Sequence, residues 1–288
     1  MSYDLYFRAT KPLDLAEVRA FFEERGYNVS ETQAFFENES TGVYFGFDFS
    51  PEQPEARVSF NINYYRPHVF ALEAEPELTS FIDEFGLEIE DPQMHGMGKG
   101  PYSAAGFLRG WNAGNEFAHK AIAGNEGVER PLALPAARNA GVWRWNYAKD
   151  AITDELEVNL GDVPPCFVPT VMMVVPEGTN EVKTIVVWDV QMAIAIPDVD
   201  LVVTHDERGL WGAERTAVLA AVKIDTVWEA DRVLASGRVL GLRASLVDEL
   251  DELAAKRVRT MMKPLEATRV AADQVLDAEL VDKAFAPN

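Results

Sequence analysis

Apolar residues change their period several times along this chain, and the longest apolar tract lies in its middle. Residues 168–175 are apolar apart from Pro169 and Thr170, residues 184–190 nearly so, and 192–196 and 201–203 continue the run. Continuous rather than alternating apolarity predicts strands covered on both faces. Pro176-Glu-Gly-Thr-Asn180 interrupts it with a proline that presets one dihedral and a glycine that supplies a positive one. The first two runs are therefore expected to fold back as a hairpin. The stretch 167–204 reads as a core around which the chain is organised, and it carries little chemistry.

Residues 1–92 have another rhythm. Residues 3–8 alternate as a strand does, with Leu5 and Phe7 on one face and Tyr6 on the other. Asp14 is placed as an N-cap ahead of Leu15, Val18, Phe21 and Phe22 at helical spacing, with Gly26 as the stop. Strands follow over 32–37, 43–49 and 57–65, separated by turns at 40–42 and 50–54. A second helix is expected from near Pro76, ended by Gly86, and Leu87-Glu-Ile89 is a last short strand. Strand, helix, three strands, helix, strand is a ferredoxin-like (split βαβ) plan with an extra strand, which by itself licenses no chemistry.

After a glycine- and methionine-rich crossing at 93–102, a helix is predicted over 103–122. Gly106, Gly110 and Gly114 recur every fourth residue, so they share one stripe. Glycine costs a helix up to about 1 kcal/mol relative to alanine, so the row implies close approach of another backbone or side chain. It is either internal packing or a surface through which the protein forms a homo-oligomer. A loop with Pro131 and Pro135 leads to Val142-Trp-Arg-Trp-Asn-Tyr147. As a strand this puts Trp143, Trp145 and Tyr147 on one face, as a packing face or an aromatic patch for a partner.

Beyond the core tract, 210–219 is expected to be helical and 222–227 a strand. Ser245 is placed as the cap of a helix running to Met261, Pro264 as its terminator, and 267–283 as a further helical stretch. These patterns define an α+β chain. Its expected parts are an acidic module over 1–92, a glycine-striped helix and connecting loop over 93–140, and a sheet core with C-terminal helices over 141–288.

Charge sharpens the picture. The 288 residues carry a formal net charge of −21, and the first hundred hold nineteen acidic side chains against seven basic ones. No Lys or Arg occurs between Arg66 and Lys99, where Glu73, Glu75, Glu77, Asp83, Glu84 and Glu88 fall. Such a field repels nucleic acid and anionic membranes and draws in basic proteins. Acidity that only maintains solubility is the plainer meaning of the same numbers. No run of about 20 apolar residues and no basic leader are present, so a cytoplasmic location is expected.

Chemistry is sparse. Neither the phosphate-loop nor the dinucleotide glycine motif occurs, nor Gly-x-Ser-x-Gly or His-Glu-x-x-His. His68, His95, His119 and His205 have no ligand spacing, and the single Cys166 permits no internal disulfide. No metal, cofactor or catalytic residue is assigned. A hydrolase-like site near His205, within Thr204-His-Asp-Glu207, is the enzymatic alternative. Cys166 reads as apolar filler, and Pro197-Asp-Val-Asp200 as a solvated turn. The leading expectation is a non-enzymatic binding protein, such as a bacterial immunity or inhibitor protein that neutralises a basic toxin or nuclease. Its partner surface would comprise Glu73, Glu75, Glu77, Asp83, Glu84 and Glu88 with Trp143, Trp145 and Tyr147. An oligomeric scaffold is the third reading.

Overall fold

Strand β1 (Ser2–Arg8) sets the pattern of the N-terminal part: Tyr3, Leu5 and Phe7 are buried while Asp4, Tyr6 and Arg8 turn the other way. The computed structural model describes residues 1–50, 58–160, 166–189, 192–204, 217–222, 233–261 and 263–286. The chain divides into two units, Met1–Asn139 together with Asp273–Asn288, and Ala140–Ala272. The sequence pattern groups 273–288 with the C-terminal part; this division groups them with the N-terminal one.

In the first unit β1 is followed by α1 (Leu15–Glu24), β2 (Asn28–Val29), β3 (Gln33–Asn38), β4 (Val43–Phe49) and β5 (Val58–Asn63), then α2 (Val69–Phe85), β6 (Glu88–Glu90), β7 (Lys99–Gly100) and α3 (Ala104–Ala123). The strands form one antiparallel seven-stranded sheet in the order β2-β3-β4-β5-β1-β6-β7. Four strands thus follow α1 where the pattern predicts three, because Asn28 and Val29 pair with Phe35 and Ala34. Asp14 caps α1 through Ala16 N–H at 2.8 Å, and Gly26 follows it at a φ of 79°. Gly86 ends α2 in the left-handed region, which costs glycine little.

One face of this sheet is an aromatic core. Phe22 from α1 lies 4.5 Å from Phe47 and 5.2 Å from Phe81 of α2, Phe7 lies 5.0 Å from Phe81, and Phe107 of α3 reaches Tyr3 at 5.7 Å, all between ring centroids. Each such pair contributes about 0.5–1.5 kcal/mol beyond the area it buries. Helix α2 starts at Val69, not near Pro76. Proline favours a first turn, but buried Phe70, Ala71, Ala74, Leu78 and Phe81 on both sides of Pro76 hold one continuous helix against the missing N–H. The glycine row of α3 is filled from within this unit. A Cβ on Gly110 would come within 2.5 Å of the Tyr3 hydroxyl, and one on Gly114 or Gly106 would strike the Tyr64 ring or Met97. The row is internal packing, so it is not an exposed surface for a second copy.

Strand β8 (Ala133–Leu134) closes the N-terminal part of the first unit. The segment 142–147, expected as a strand, lies in helix α4 (Ala136–Tyr147), followed by α5 (Lys149–Leu160). Helical periodicity separates the three aromatics: Trp145 is buried and donates Nε1–H to the Pro169 carbonyl at 2.8 Å. Trp143 and Tyr147, one turn apart, lie with ring centroids 5.5 Å apart, and Tyr147 is exposed.

In the second unit β9 (Met172–Pro176) and β10 (Lys183–Val187) form the expected hairpin, with Gly178 of the turn at a φ of 74°. β11 (Ile194–Pro197) and β12 (Leu201–Thr204) then part company. β12 pairs in parallel with β10 and, with β13 (Ala217–Val222), β16 (Lys263–Val270) and β9, closes a five-stranded barrel. β11 joins β15 (Leu242–Val247) and β14 (Val233–Val239). Val174, Ile185, Val203 and Ala267 pack together in the barrel. Ser245 is therefore a strand residue. Helix α6 (Glu252–Met261) begins later, with Asp251 accepting from Ala254 N–H at 2.7 Å. Residues 263–270, expected to be partly helical, form β16, since pairing with β13 and β9 outweighs their helical spacing. Residues 217–219, the end of the helix expected over 210–219, lie in strand β13, paired with β12 and β16; 210–216, and 223–227 of the strand expected over 222–227, lie outside the described residues. The chain then returns to the first unit as β17 (Leu276–Asp277), parallel to β8, and α7 (Ala278–Ala284).

Candidate functional site

Antiparallel pairing places register partners on one face, so the outward face of the large sheet follows from the pairings alone. One row crosses it as Gln33, Asp48, Ser59, Tyr6 and Glu90, and a second as Phe35, Gly46, Asn61 and Asp4. Arg8 and Glu88 form a further pair at the β6 side. All three helices of the core pack on the other face through the aromatic contacts described above. On the outward face Tyr6 is 42 % exposed, and Glu37, Asn63 and Glu88 are exposed too. Gly46 leaves a low point that the Gln33 and Asn61 side-chain amides overhang.

Carboxylates dominate this face. Arg8 and Lys99 both turn to Glu90, Arg8 in close contact and Lys99 at 3.8 Å. Asp48 accepts from Asn61 Nδ2 at 2.7 Å, and Asp4 accepts from the Ser2 hydroxyl at 3.1 Å. Among the described residues no ion pair joins Asp4, Glu37, Asp48 or Glu88 to a cation. Partial burial raises the pKa of Asp4, and the nearby charge of Asp48 adds to this, against the Ser2 hydrogen bond and the charge of the N-terminal ammonium.

The acidic residues singled out from the sequence do not stay together. Glu73 is buried and accepts from Asn38 Nδ2 at 2.7 Å. Glu75 accepts from Thr79 and Tyr102, and Glu77 pairs with Arg25 at 3.1 Å while accepting from Tyr27 at 2.9 Å. Asp83, Glu84 and Glu88 are exposed. Only Glu88 belongs to the open sheet face. Asp4 and Asp48 were missed because each is a lone carboxylate in a strand, and only the register brings them to one surface.

A second polar cluster joins distant parts of the first unit. Asp277 is buried, and both its oxygens lie 3.0 Å from His68 Nδ1. It also accepts from the His68 backbone N–H at 2.8 Å and from Asn139 Nδ2 at 2.9 Å. A carboxylate only accepts, so the proton sits on Nδ1. Burial alone would raise the Asp277 pKa, but the hydrogen bonds from His68 and Asn139 outweigh it and hold the carboxyl below its usual range. Nearby, Asn115 clamps the loop before α2 by accepting from Tyr65 N–H at 2.7 Å and donating to the Arg66 carbonyl at 2.9 Å. His119, one turn on, is fully buried, its Nδ1 2.8 Å from the Asn115 carbonyl. Burial lowers its pKa. Asp277 is so enclosed by donors that the cluster reads as a clamp on the returning chain.

His205 and its neighbours Asp206 and Glu207 lie outside the described residues, as does any site they form. Cys166 is half-buried, and burial pushes its thiol up to about 11, away from the reactive thiolate. Among the described residues no group of three or more His, Cys, Asp and Glu side chains is arranged to hold a metal ion, and no helix is long and apolar enough to cross a membrane. Comparison with known proteins finds no matching family model, curated protein or solved structure.

Proposed function

We propose that this chain is a non-enzymatic binding protein whose acidic first unit docks a basic protein. It would act as an immunity or inhibitor protein does when it neutralises a cationic toxin or nuclease, with a cytoplasmic location belonging to the same reading. The observation that carries it is the sheet face on which Asp4, Glu37, Asp48 and Glu88 form no ion pair with a basic side chain among the described residues. A surface on which one sign is in excess steers an oppositely charged protein to it and raises the association rate, more strongly at low salt. The order β6-β1-β5-β4, with a helix after β1 and another after β5, supports reading the unit as an enlarged split βαβ plan.

The test is capture by the purified full chain from a lysate of its source, eluted with rising salt and read by mass spectrometry. The expected outcome is one basic protein released between about 0.1 and 0.5 M salt, where the screening length falls to a few ångströms. A bait that retains no basic protein at low salt sinks the reading.

A further inference from the structure

The acidic surface has two faces that could meet a basic partner: the helical layer, where Glu17, Glu23 and Glu24 of α1 are exposed, and the side of the sheet opposite the helices, where Tyr6, Glu37 and Glu88 are exposed. They differ in more than charge. On the helical side the Arg25 guanidinium already pairs with Glu77 and lies 5.2 Å from the centre of the Phe21 ring. On the sheet side Asp4, Asp48 and Glu88 stand among flat side chains, with Tyr6 beside Ser59 and the Phe35 ring 6.1 Å from that of Tyr44. Tyr44 shows what such a ring accepts, since the Arg66 guanidinium lies 5.6 Å from its centre and donates Nε–H to its hydroxyl at 3.0 Å.

Edge pairing is a poor alternative. The edge strands β2 and β7 are two residues each, so a partner strand would gain few backbone hydrogen bonds there. The face is broader. Strands β1, β3, β4 and β5, six or seven residues each, at ~4.8 Å apart and ~3.4 Å per residue give on the order of 400 Å². That exceeds what a small cation covers and is about half of the ~800 Å² that each partner contributes to a standard interface.

We infer that the open face of the large sheet, around Gly46, is the surface that receives the basic protein, and that the partner presents arginine side chains to it. This rests on the binding reading above and names its surface and chemistry. A guanidinium offers paired donors to a carboxylate and a flat cation to an aromatic ring, whereas an ammonium offers only the charge. Aspartates two strands apart with an asparagine between them, next to Tyr6, suit the first better than the second.

Calorimetric titration with a deca-arginine peptide tests it, using the full chain and two variants that each remove three negative charges. One carries Asp4→Asn, Asp48→Asn and Glu88→Gln on the sheet face; the other carries Glu17→Gln, Glu23→Gln and Glu24→Gln on α1. Thermal melts check that each remains folded, and single Asp4→Asn and Glu88→Gln variants replace the triple one if it does not. The expected result is at least tenfold weaker binding for the sheet-face variant, or about threefold for each single one, and less than threefold for the α1 variant. Equal losses, or a larger loss for α1, overturn the assignment while leaving the binding reading intact. A deca-lysine peptide is expected to bind several-fold more weakly than deca-arginine, and equal affinity overturns the arginine part. No binding of either peptide to the unaltered chain at low salt removes the binding reading and this inference with it.

Discussion

His68 and Asp277, 209 positions apart in sequence, meet with the imidazole Nδ1 3.0 Å from both carboxylate oxygens. Asp277 is 3 % exposed, and Asn139 and the His68 backbone supply its other donors. Losing a buried charge that several donors depend on is costly, because those donors remain in the interior without an acceptor. Asp277→Ala is expected to destabilise the first unit by about 3–5 kcal/mol, measured by urea unfolding. A loss below about 1 kcal/mol would show that the clamp contributes little.

Acid should weaken this unit in two stages. His119 is buried and held below the usual imidazole range, so the unfolded chain takes up a proton that the folded one refuses. Stability is then lost as pH falls below about 6.5, by at most about 1.4 kcal/mol per unit for this group, until the lowered folded value is reached. Asp277 acts later: its stabilisation is full above the ordinary aspartate value and is lost as pH falls through its lowered folded value. His119→Leu should flatten the first stage between pH 6.5 and 5.5 and leave the second. An unchanged slope would assign the first stage elsewhere.

The glycine row predicts opposite effects for one kind of substitution. Gly114→Ala adds helix propensity worth about 1 kcal/mol but drives a Cβ into the Tyr64 ring. A net loss of about 1–3 kcal/mol is expected from overpacking. Gly141→Ala in α4 meets nothing within 4 Å and should stabilise by about 0.5–1 kcal/mol. Melting temperatures moving together would contradict the packing described for α3.

Trp145 and Tyr147 should separate just as sharply. Trp145→Ala removes a fully buried indole and its hydrogen bond to Pro169, with an expected cost of about 3–5 kcal/mol. Tyr147→Ala, at an exposed position, should stay within about 1 kcal/mol. Guanidinium unfolding followed by far-ultraviolet circular dichroism distinguishes the two.

Local signals in the sequence were legible where local physics decides. Asp14 caps the helix expected of it, Gly86 ends α2, and Pro176-Glu-Gly-Thr-Asn180 makes its hairpin. The reading failed where distant partners decide. Trp143, Trp145 and Tyr147 alternate as in a strand, yet Trp145 finds Pro169 and Asn146 finds Val171, and both contacts are made from a helix. Residues 267–270, expected to open a helical stretch, are claimed by two neighbouring strands. The open sheet face was invisible because Asp4 and Asp48 are 44 positions apart and only register unites them. An acidic run such as 73–91 is easily seen, but half of the glutamates and aspartates singled out from it are occupied inside the fold.

The return of Asp273–Asn288 to the first unit also sets a clock on its biosynthesis. His68 and Asn139 leave the ribosome long before their shared carboxylate exists. At about 5–20 residues per second, the 133 residues between Asn139 and Asp273 take roughly 7–27 s to make. During that interval the sheet and its aromatic layer stand without β17 and α7, exposed to proteases and chaperones. A nascent chain stalled anywhere in the second unit would leave the first without its clamp, so translation must run to Asp277 before the unit can lock.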